Sequence, residues 1–480
     1  MSRRMLARPV LAASTVCVAL SACSLDSQRR AEDVAGVAGA DAAPKVILIV
    51  GDGMDDHQIT IARNYLVGYA GRLTLDDMPF RSAVQVQTVS ERNPALPVYV
   101  ADSANSATAM AAGIVTSSGR IATTAGTDED VPTIIEQAIA AGFGTGVVTT
   151  ASVTDATPAS FMAHVSGRLC EGPDSMVRRN EQMPAFSTDC SADQKANGGA
   201  GSIAEQIAAL AIDIVLGGGA RAFGQVAEGE TTRTVADLAA ENGFHVIDAA
   251  AELDRLPADS RILGLFAPGT MPVKWRGAGD SRAELVARDA GGIVQMPEPF
   301  SCEPNPQFEG MPTLPQMAAT ALERLDGERS FVLMIESASI DKQSHLRRPC
   351  GQIGELEQLD ETLALVLDYA RRHPETLVLV TADHGQAAKL VPETSVFAPL
   401  NFASVGYFAR LMTPEGVIMG VNYATNDSPN QEDHTGVQVP LFASGLGNRT
   451  LPAMIPQTEV YRIMAEHLGL GGYFTFASER

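Results

Sequence analysis

The stretch Val46-Ile-Leu-Ile-Val-Gly-Asp52 decides the fold. Five aliphatic residues, mostly β-branched, followed by a glycine and an acid, read as a strand buried on both faces whose end carries a carboxylate. Two more runs repeat the pattern: Phe331-Val-Leu-Met-Ile335 ends directly on Glu336, and Leu377-Val-Leu-Val-Thr381 reaches Asp383 after one alanine. Strands apolar on both faces belong to parallel sheets covered by helices. Their alternation with helical patterns predicts an α/β fold with a doubly wound, mostly parallel central sheet and helices on both faces. Ligands in such sheets sit at the carboxyl ends of the strands, so three acids there mark that edge as the site.

Further β-branched runs at residues 83–89, 145–149, 212–216 and 439–443 extend the sheet, and helical periodicity is clearest at 131–141, 202–210, 314–325, 354–372 and 457–468. Residues 170–201 and 268–312 are rich in Gly, Pro and polar side chains and read as long ordered loops.

At the start of the chain Arg3, Arg4 and Arg8 precede a short apolar stretch and then Leu20-Ser-Ala-Cys23. A charged start, an apolar core too short to span a bilayer permanently and small residues at the cut read as a signal peptide over 1–22. The tetrapeptide resembles the lipobox of bacterial lipoproteins, which implies lipidation of Cys23 and an exported chain, periplasmic or at the cell surface, held to the membrane by that lipid. Residues 23–43, Ala- and Gly-rich with scattered charges, form a flexible tether, and 44–480 form one catalytic domain.

An exported chain with four remaining cysteines is expected to form two disulfides. Three connectivities are open, and nearest-neighbour pairing, Cys170 with Cys190 and Cys302 with Cys350, is the expected one. Net charge is −22, or −25 once the three presequence arginines are set aside. So acidic a chain is expected to have no nucleic-acid partner. Any phosphate affinity must come from a local cluster of metal ions and arginine rather than from the overall field.

The chemistry-bearing residues fall in separate segments. In Val100-Ala-Asp-Ser-Ala-Asn-Ser-Ala-Thr-Ala-Met-Ala-Ala-Gly113 a run of small residues opens on Asp102 and Ser103. Taken alone, that pattern reads first as an ordinary N-capped helix, with a helix start whose bare amides hold an anion as the second reading. Asp341 and His345, four apart, share one helix face; Asp383 and His384 are adjacent after a strand; His434 lies in Gln431-Glu-Asp-His-Thr-Gly436. Carboxylates with imidazoles suit zinc, and carboxylates with a hydroxyl suit magnesium.

The segments Gly51-Asp-Gly-Met54, Asp102-Ser-Ala104, Asp155-Ala-Thr-Pro158, His164-Val-Ser-Gly-Arg168, Ala338-Ser-Ile-Asp-Lys-Gln343, Thr381-Ala-Asp-His384 and His434-Thr-Gly436 resemble, in this order, the alkaline phosphatases, most closely the bacterial periplasmic type. The resemblance implies phosphate monoester hydrolysis through a phosphoseryl intermediate on Ser103, with Arg168 holding two phosphate oxygens. It implies two zinc ions and one magnesium ion per subunit. Asp341, His345 and His434 match the first zinc set, Asp52, Asp383 and His384 the second, and Asp52, Thr157 and Glu336 the magnesium set. Asp102, Asp155 and Lys342 match the residues behind these, Ser106 is left as a structural serine, and a homodimer acting on small phosphate monoesters is implied. One departure is Gln386, where the bacterial type carries a histidine supporting a zinc ligand. Among the other histidines, His57 and His164 are expected only to line the site, and His245, His373 and His467 to pack or cap. The alternatives are a phosphodiesterase of the same superfamily and a non-catalytic phosphate- or metal-binding lipoprotein. A sulfatase is disfavoured because no Cys-x-Pro-x-Arg sequence is present.

Overall fold

The aliphatic run at residue 46 lies in a strand, Lys45–Gly51, in which every residue is buried. The computed structural model describes residues 43–181, 187–395 and 397–470. The expected signal peptide, Cys23 and nearly all of the tether lie outside the described residues. Ten strands build the central sheet: β1 Lys45–Gly51, β2 Phe80–Gln85, β3 Gly144–Ser152, β4 Ile214–Gly218, β5 Phe244–Ile247, β6 Arg261–Leu265, β7 Phe331–Ser337, β8 Thr376–Ala382, β9 Val439–Ser444 and β10 Met454–Pro456. Their order is β10-β2-β9-β8-β1-β7-β3-β4-β6-β5.

Every pairing from β8 to β5 is parallel. Strand β9 alone runs against its neighbours. Strands β1, β7 and β8 are buried along their whole length, so both faces of the sheet are covered, as their apolar runs require. The register is what gathers the acids. Val50 is level with Glu336, and Gly51 with Ser337 and Ala382, so Asp52 and Asp383 leave the sheet side by side.

The helices start where the capping chemistry directs. Thr133 with Glu136 and Thr313 with Gln316 form reciprocal capping pairs at the starts of Ile134–Ala140 and Leu314–Leu325. The helix expected at 354–372 begins earlier, at Pro349, because proline is suited to a first turn. Its glycines are packing sites rather than breaks: a Cβ at Gly354 would lie 2.4 Å from the Trp275 ring.

The run at 83–89 is not one strand. It divides into β2 and Thr88–Ser90, which leaves the sheet to form a hairpin with Asn93–Val98. Composition cannot report that change of partner. A second antiparallel sheet, of Glu284–Leu285, Tyr407–Met412, Ile418–Tyr423 and Lys389–Val391, was likewise not anticipated. Both expected disulfides form, Cys170–Cys190 and Cys302–Cys350, with Cα separations of 6.5 and 5.4 Å. Each closes a loop of a size that contributes about 3–4 kcal/mol.

Since β7 is the strand between β1 and β3, a cavity there is felt across the site-bearing edge. Leu333→Ala, at a residue with no exposed surface, is expected to cost about 2–5 kcal/mol in urea unfolding. A loss below about 1 kcal/mol would contradict the central placement of this strand.

Candidate active site

Three strand ends, three helices and the loops bearing Arg168 and His434 supply the site. After β1 the chain turns at Gly53, whose φ of +69° is a left-handed conformation, and a Cβ there would stand 3.0 Å from Cβ of Asp341. Glycine therefore lets the Asp52 turn press against the next group of the site. Asp52 N–H donates to the Ser337 carbonyl (3.1 Å) and Gly53 N–H to Asp383 Oδ1 (2.9 Å), tying the ends of β1, β7 and β8 together. Glu336 lies within β7 and accepts from the Thr149 hydroxyl of β3.

The helix Ser339–His345 follows β7 directly and carries Asp341 and His345 on one face, with His345 Nε2 3.3 Å from Asp341 Oδ1. His434 comes from an irregular loop. Its Nδ1 bonds the Ala101 carbonyl (2.9 Å), leaving Nε2 free to face His345 Nε2 at 3.0 Å and Asp341 Oδ1 at 3.4 Å. His384 stacks on the His434 ring with centroids 3.7 Å apart.

Ser103 is the first residue of the helix Ser103–Ala112, and Asp102 is its N-cap, paired reciprocally with Asn105. The capping meaning open in the sequence is realised by Asp102, while Ser103 Oγ points at His384 Nε2, 3.2 Å away. Ser106 Oγ donates to the Asp102 carbonyl (2.7 Å), as a structural serine should. No histidine accompanies Ser103 in its segment, yet the fold supplies one from 281 residues away.

Arg168 is oriented by two acids, with Nη1 3.2 Å from Asp102 Oδ2 and Nη2 3.1 Å from Asp155 Oδ1. Asp155 also pairs with Lys342 and caps the short helix Ala156–Ala159, which carries Thr157.

The electrostatics are those of an uncompensated cluster. Burial, then the charges of Asp341 and Asp383, push the Asp52 carboxyl well above its ordinary range. Burial pushes Glu336 up to about 8. Burial works the same way on Asp341, but His345 and His434 outweigh it and hold that carboxyl well below the usual range. Burial lowers His384 to about 4, whereas at His434 the Asp341 carboxylate overcomes burial and raises the ring to about 9.

Among the described residues, Asp52 Oδ1, Asp383 Oδ2 and Thr157 Oγ1 are buried without a hydrogen-bond partner, although His384 Nε2 stands 3.6 and 3.3 Å from the two carboxylates. Orphaned buried oxygens are costly unless a ligand completes them. Ligand atoms of Asp52, Asp383 and His384 lie within 4.8 Å of one another, as do those of Asp341, His384 and His434. His384 thus adjoins both groups, which the sequence had kept apart, and His345 borders the second.

Several contributors were not foreseen. Thr149 on Glu336 and Gln457 Nε2 on the Asp383 carbonyl (2.6 Å) are visible only in the fold. Gln386 does stand behind a ligand candidate: its side-chain amide donates to Asp341 Oδ1. His164 is engaged away from the cluster, on the Ala122 carbonyl (3.0 Å) and Glu136 Oε1 (2.9 Å), and His57 is exposed.

A parallel sheet ending in buried acids and imidazoles around a helix-start serine and a forked arginine is the arrangement of a metal-dependent hydrolase acting on an anionic oxygen centre. The alkaline phosphatase family profile matches residues 43–404. The chain is 39% identical over 447 residues to streptomycin-6-phosphate phosphatase of Streptomyces griseus, covering 90% of this chain and 92% of that one. It is 38% identical over 440 residues to alkaline phosphatase of Escherichia coli, covering 89% and 86%. The solved alkaline phosphatase of Thermus thermophilus superposes with a TM-score of 0.62 at 22% identity, over 90% of this chain and 92% of that one, a likeness of fold. The chain belongs to the alkaline phosphatase family, and its activity is hydrolysis of phosphate monoesters with bound divalent metal.

The charge cluster makes stability pH-dependent when metal is stripped. Glu336, raised from 4.5 to about 8, and His434, raised from 6.5 to about 9, both bind protons more tightly folded than unfolded. Each therefore contributes stability that is lost as pH rises through its folded value. His384, lowered from 6.5 to about 4, acts only below pH 6.5. The melting temperature of chelator-treated protein is expected to fall between pH 7 and 9, and divalent cation to remove most of the slope. A chelated protein whose melting temperature is flat or rises over that interval contradicts this charge balance.

Proposed function

We propose that the chain is an exported, lipid-anchored alkaline phosphatase that cleaves small phosphate monoesters through a phosphoseryl intermediate on Ser103, with two zinc ions and one magnesium ion in each subunit. The single observation carrying this reading is the pair of buried, partnerless oxygens of Asp52 and Asp383 beside His384, the residue that Ser103 Oγ contacts. They fit metal ions: two groups combine carboxylate with imidazole, the donor chemistry of zinc, and the buried oxygens of Asp52, Thr157 and Glu336, matched to magnesium by the family resemblance, are of the donor type that suits that ion. Asp341, His345 and His434 would hold one zinc and Asp52, Asp383 and His384 the other. Bound there, such ions supply Lewis-acid charge to the attacking and leaving oxygens and acidify water.

The chain's own residues do the rest. Ser103 Oγ, on the first turn of its helix, attacks phosphorus; the Oγ–P bond forms as the ester P–O bond breaks and the alcohol leaves. Water then attacks the same phosphorus and the P–Oγ bond breaks, releasing phosphate and restoring the serine. Arg168 presents two parallel N–H groups to two non-bridging oxygens, and Asp102 and Asp155 hold that fork in place before substrate arrives. Lys342 adds positive charge behind Asp155 and keeps that carboxyl ionised. A monoester offers the fork two free oxygens throughout the reaction, whereas a diester's second ester group occupies one. This favours the monoesterase over the diesterase, and the poised Ser103 argues against a binder without turnover.

The Streptomyces griseus relative is named for streptomycin 6-phosphate, which makes that compound one substrate to try. The lipobox-like Leu20-Ser-Ala-Cys23 supports export and anchoring, with 44–480 as the catalytic domain. The homodimer follows from the family likeness, and the exposed Leu96, Val98 and Tyr99 beside the Ser103 segment offer an apolar surface for a second subunit. Of the described residues, no helix is long and apolar enough to cross a membrane.

The Ser103–His384 contact of 3.2 Å favours one second reading, a metal-free serine–histidine hydrolase. Chelation separates the two. Turnover of an aryl phosphomonoester is expected to vanish on full metal removal and to return with zinc plus magnesium; turnover surviving in stripped protein would favour His384 as a general base. Arg168→Ala is expected to lower kcat/KM for the monoester by about 10²–10³-fold and to change diester turnover far less. Equal losses on both substrates would remove the fork from its proposed role.

A further inference from the structure

His434 lies on the loop 424–438, between Ile418–Tyr423 and β9, and the only buried residue of that loop is an acid, Glu432. It has no exposed surface, and its partner Arg347 is 3% exposed. Arg347 Nε donates to Glu432 Oε1 (2.7 Å), while Glu432 Oε2 accepts from Thr425 N–H (2.9 Å) and the Thr425 hydroxyl (2.6 Å). The remaining guanidinium nitrogens donate to the carbonyls of Pro429 (3.1 Å) and Ser428 (2.6 Å), and Arg347 Cζ sits 3.5 Å from the centre of the Tyr407 ring. The buried anchor of the loop is therefore an ion pair rather than apolar packing, joined by the polar contacts of His434 with Ala101 and of Thr435 with Gly385.

That fastening sits on both imidazoles of one half of the site. Arg347 is two residues after His345, and Glu432 two before His434. Glu432 N–H donates to the His345 carbonyl (3.0 Å), and the Glu432 carbonyl accepts from His345 Nδ1. This contact sets which ring nitrogen of His345 faces His434. Arg347 itself holds a left-handed φ of +61°, a conformation that a non-glycine residue keeps only where its surroundings impose it. We infer that Arg347 and Glu432 are positioning residues that fix the separation and orientation of His345 and His434 and so set how firmly that half of the site retains zinc. The inference rests on the reading of Asp341, His345 and His434 as a zinc site.

The measurement is zinc release from the holoenzyme into a coloured chelator, with zinc content and thermal melting followed in parallel. The double variant Arg347→Met with Glu432→Gln removes both charges together, so neither is left buried alone. It is expected to fold and to release one zinc per subunit about 10–100-fold faster than the parent, with kcat recovered by excess zinc and the other ions released at the parent rate. Arg347→Lys keeps the charge but loses the fork to the Pro429 and Ser428 carbonyls, and is expected to fall between. Parent-like release from both folded variants overturns the positioning role. His434→Ala is the control: loss of one zinc upholds the reading beneath, whereas unchanged zinc content overturns that reading and the inference with it.

Discussion

Everything in this molecule leans on one electrostatic constraint: Asp52, Glu336, Asp341 and Asp383 are almost wholly buried within one cluster, and they cannot all be ionised there unless positive charge joins them. His345 and His434 relieve Asp341, and Lys342 relieves Asp155, but Asp52 and Glu336 are left with raised affinity for protons. A fold that selected only for stability would not hold these groups together. The cluster is a demand for cations, and the chemistry of the site follows from meeting it.

The sheet creates that constraint and also makes it tolerable. Parallel strands in register set Asp52 and Asp383 beside each other at their carboxyl ends, and the backbone N–H of Gly53 is spent on Asp383 rather than on a neighbouring strand. Around this edge stand pieces of different structure: a helix start bearing Ser103, a forked Arg168 held between two acids, and the irregular loop bearing His434. Stiff strands carry the groups whose spacing matters most, and the loop that must be held carries its own buried ion pair.

Much of this was legible in the sequence, because a strand buried on both faces writes itself as an uninterrupted aliphatic run and an acid at its end has no packing reason to be there. The runs ending on Asp52, Glu336 and Asp383 therefore declared both fold and site edge. What could not be read were relations between segments. The division of residues 83–89 between the sheet and a hairpin depends on pairing partners, and the small second sheet is built of short strands. His384 touches both halves of the cluster because of ring stacking on His434, which no spacing encodes. Arg347 and Glu432 look like ordinary surface charges in one dimension, and only burial shows that they are a pair.

On the proposed reading, the cations that the buried cluster calls for make Ser103 a nucleophile toward phosphorus. The most direct measurement is rapid acid quenching of the zinc- and magnesium-loaded protein during turnover of a phosphomonoester, followed by mass mapping of the peptide spanning Val100 to Gly113. One phosphoryl group is expected on Ser103, absent when metal is removed beforehand. A quenched protein that turns over substrate yet carries no phosphoryl group there, or carries it on Ser106, would contradict it.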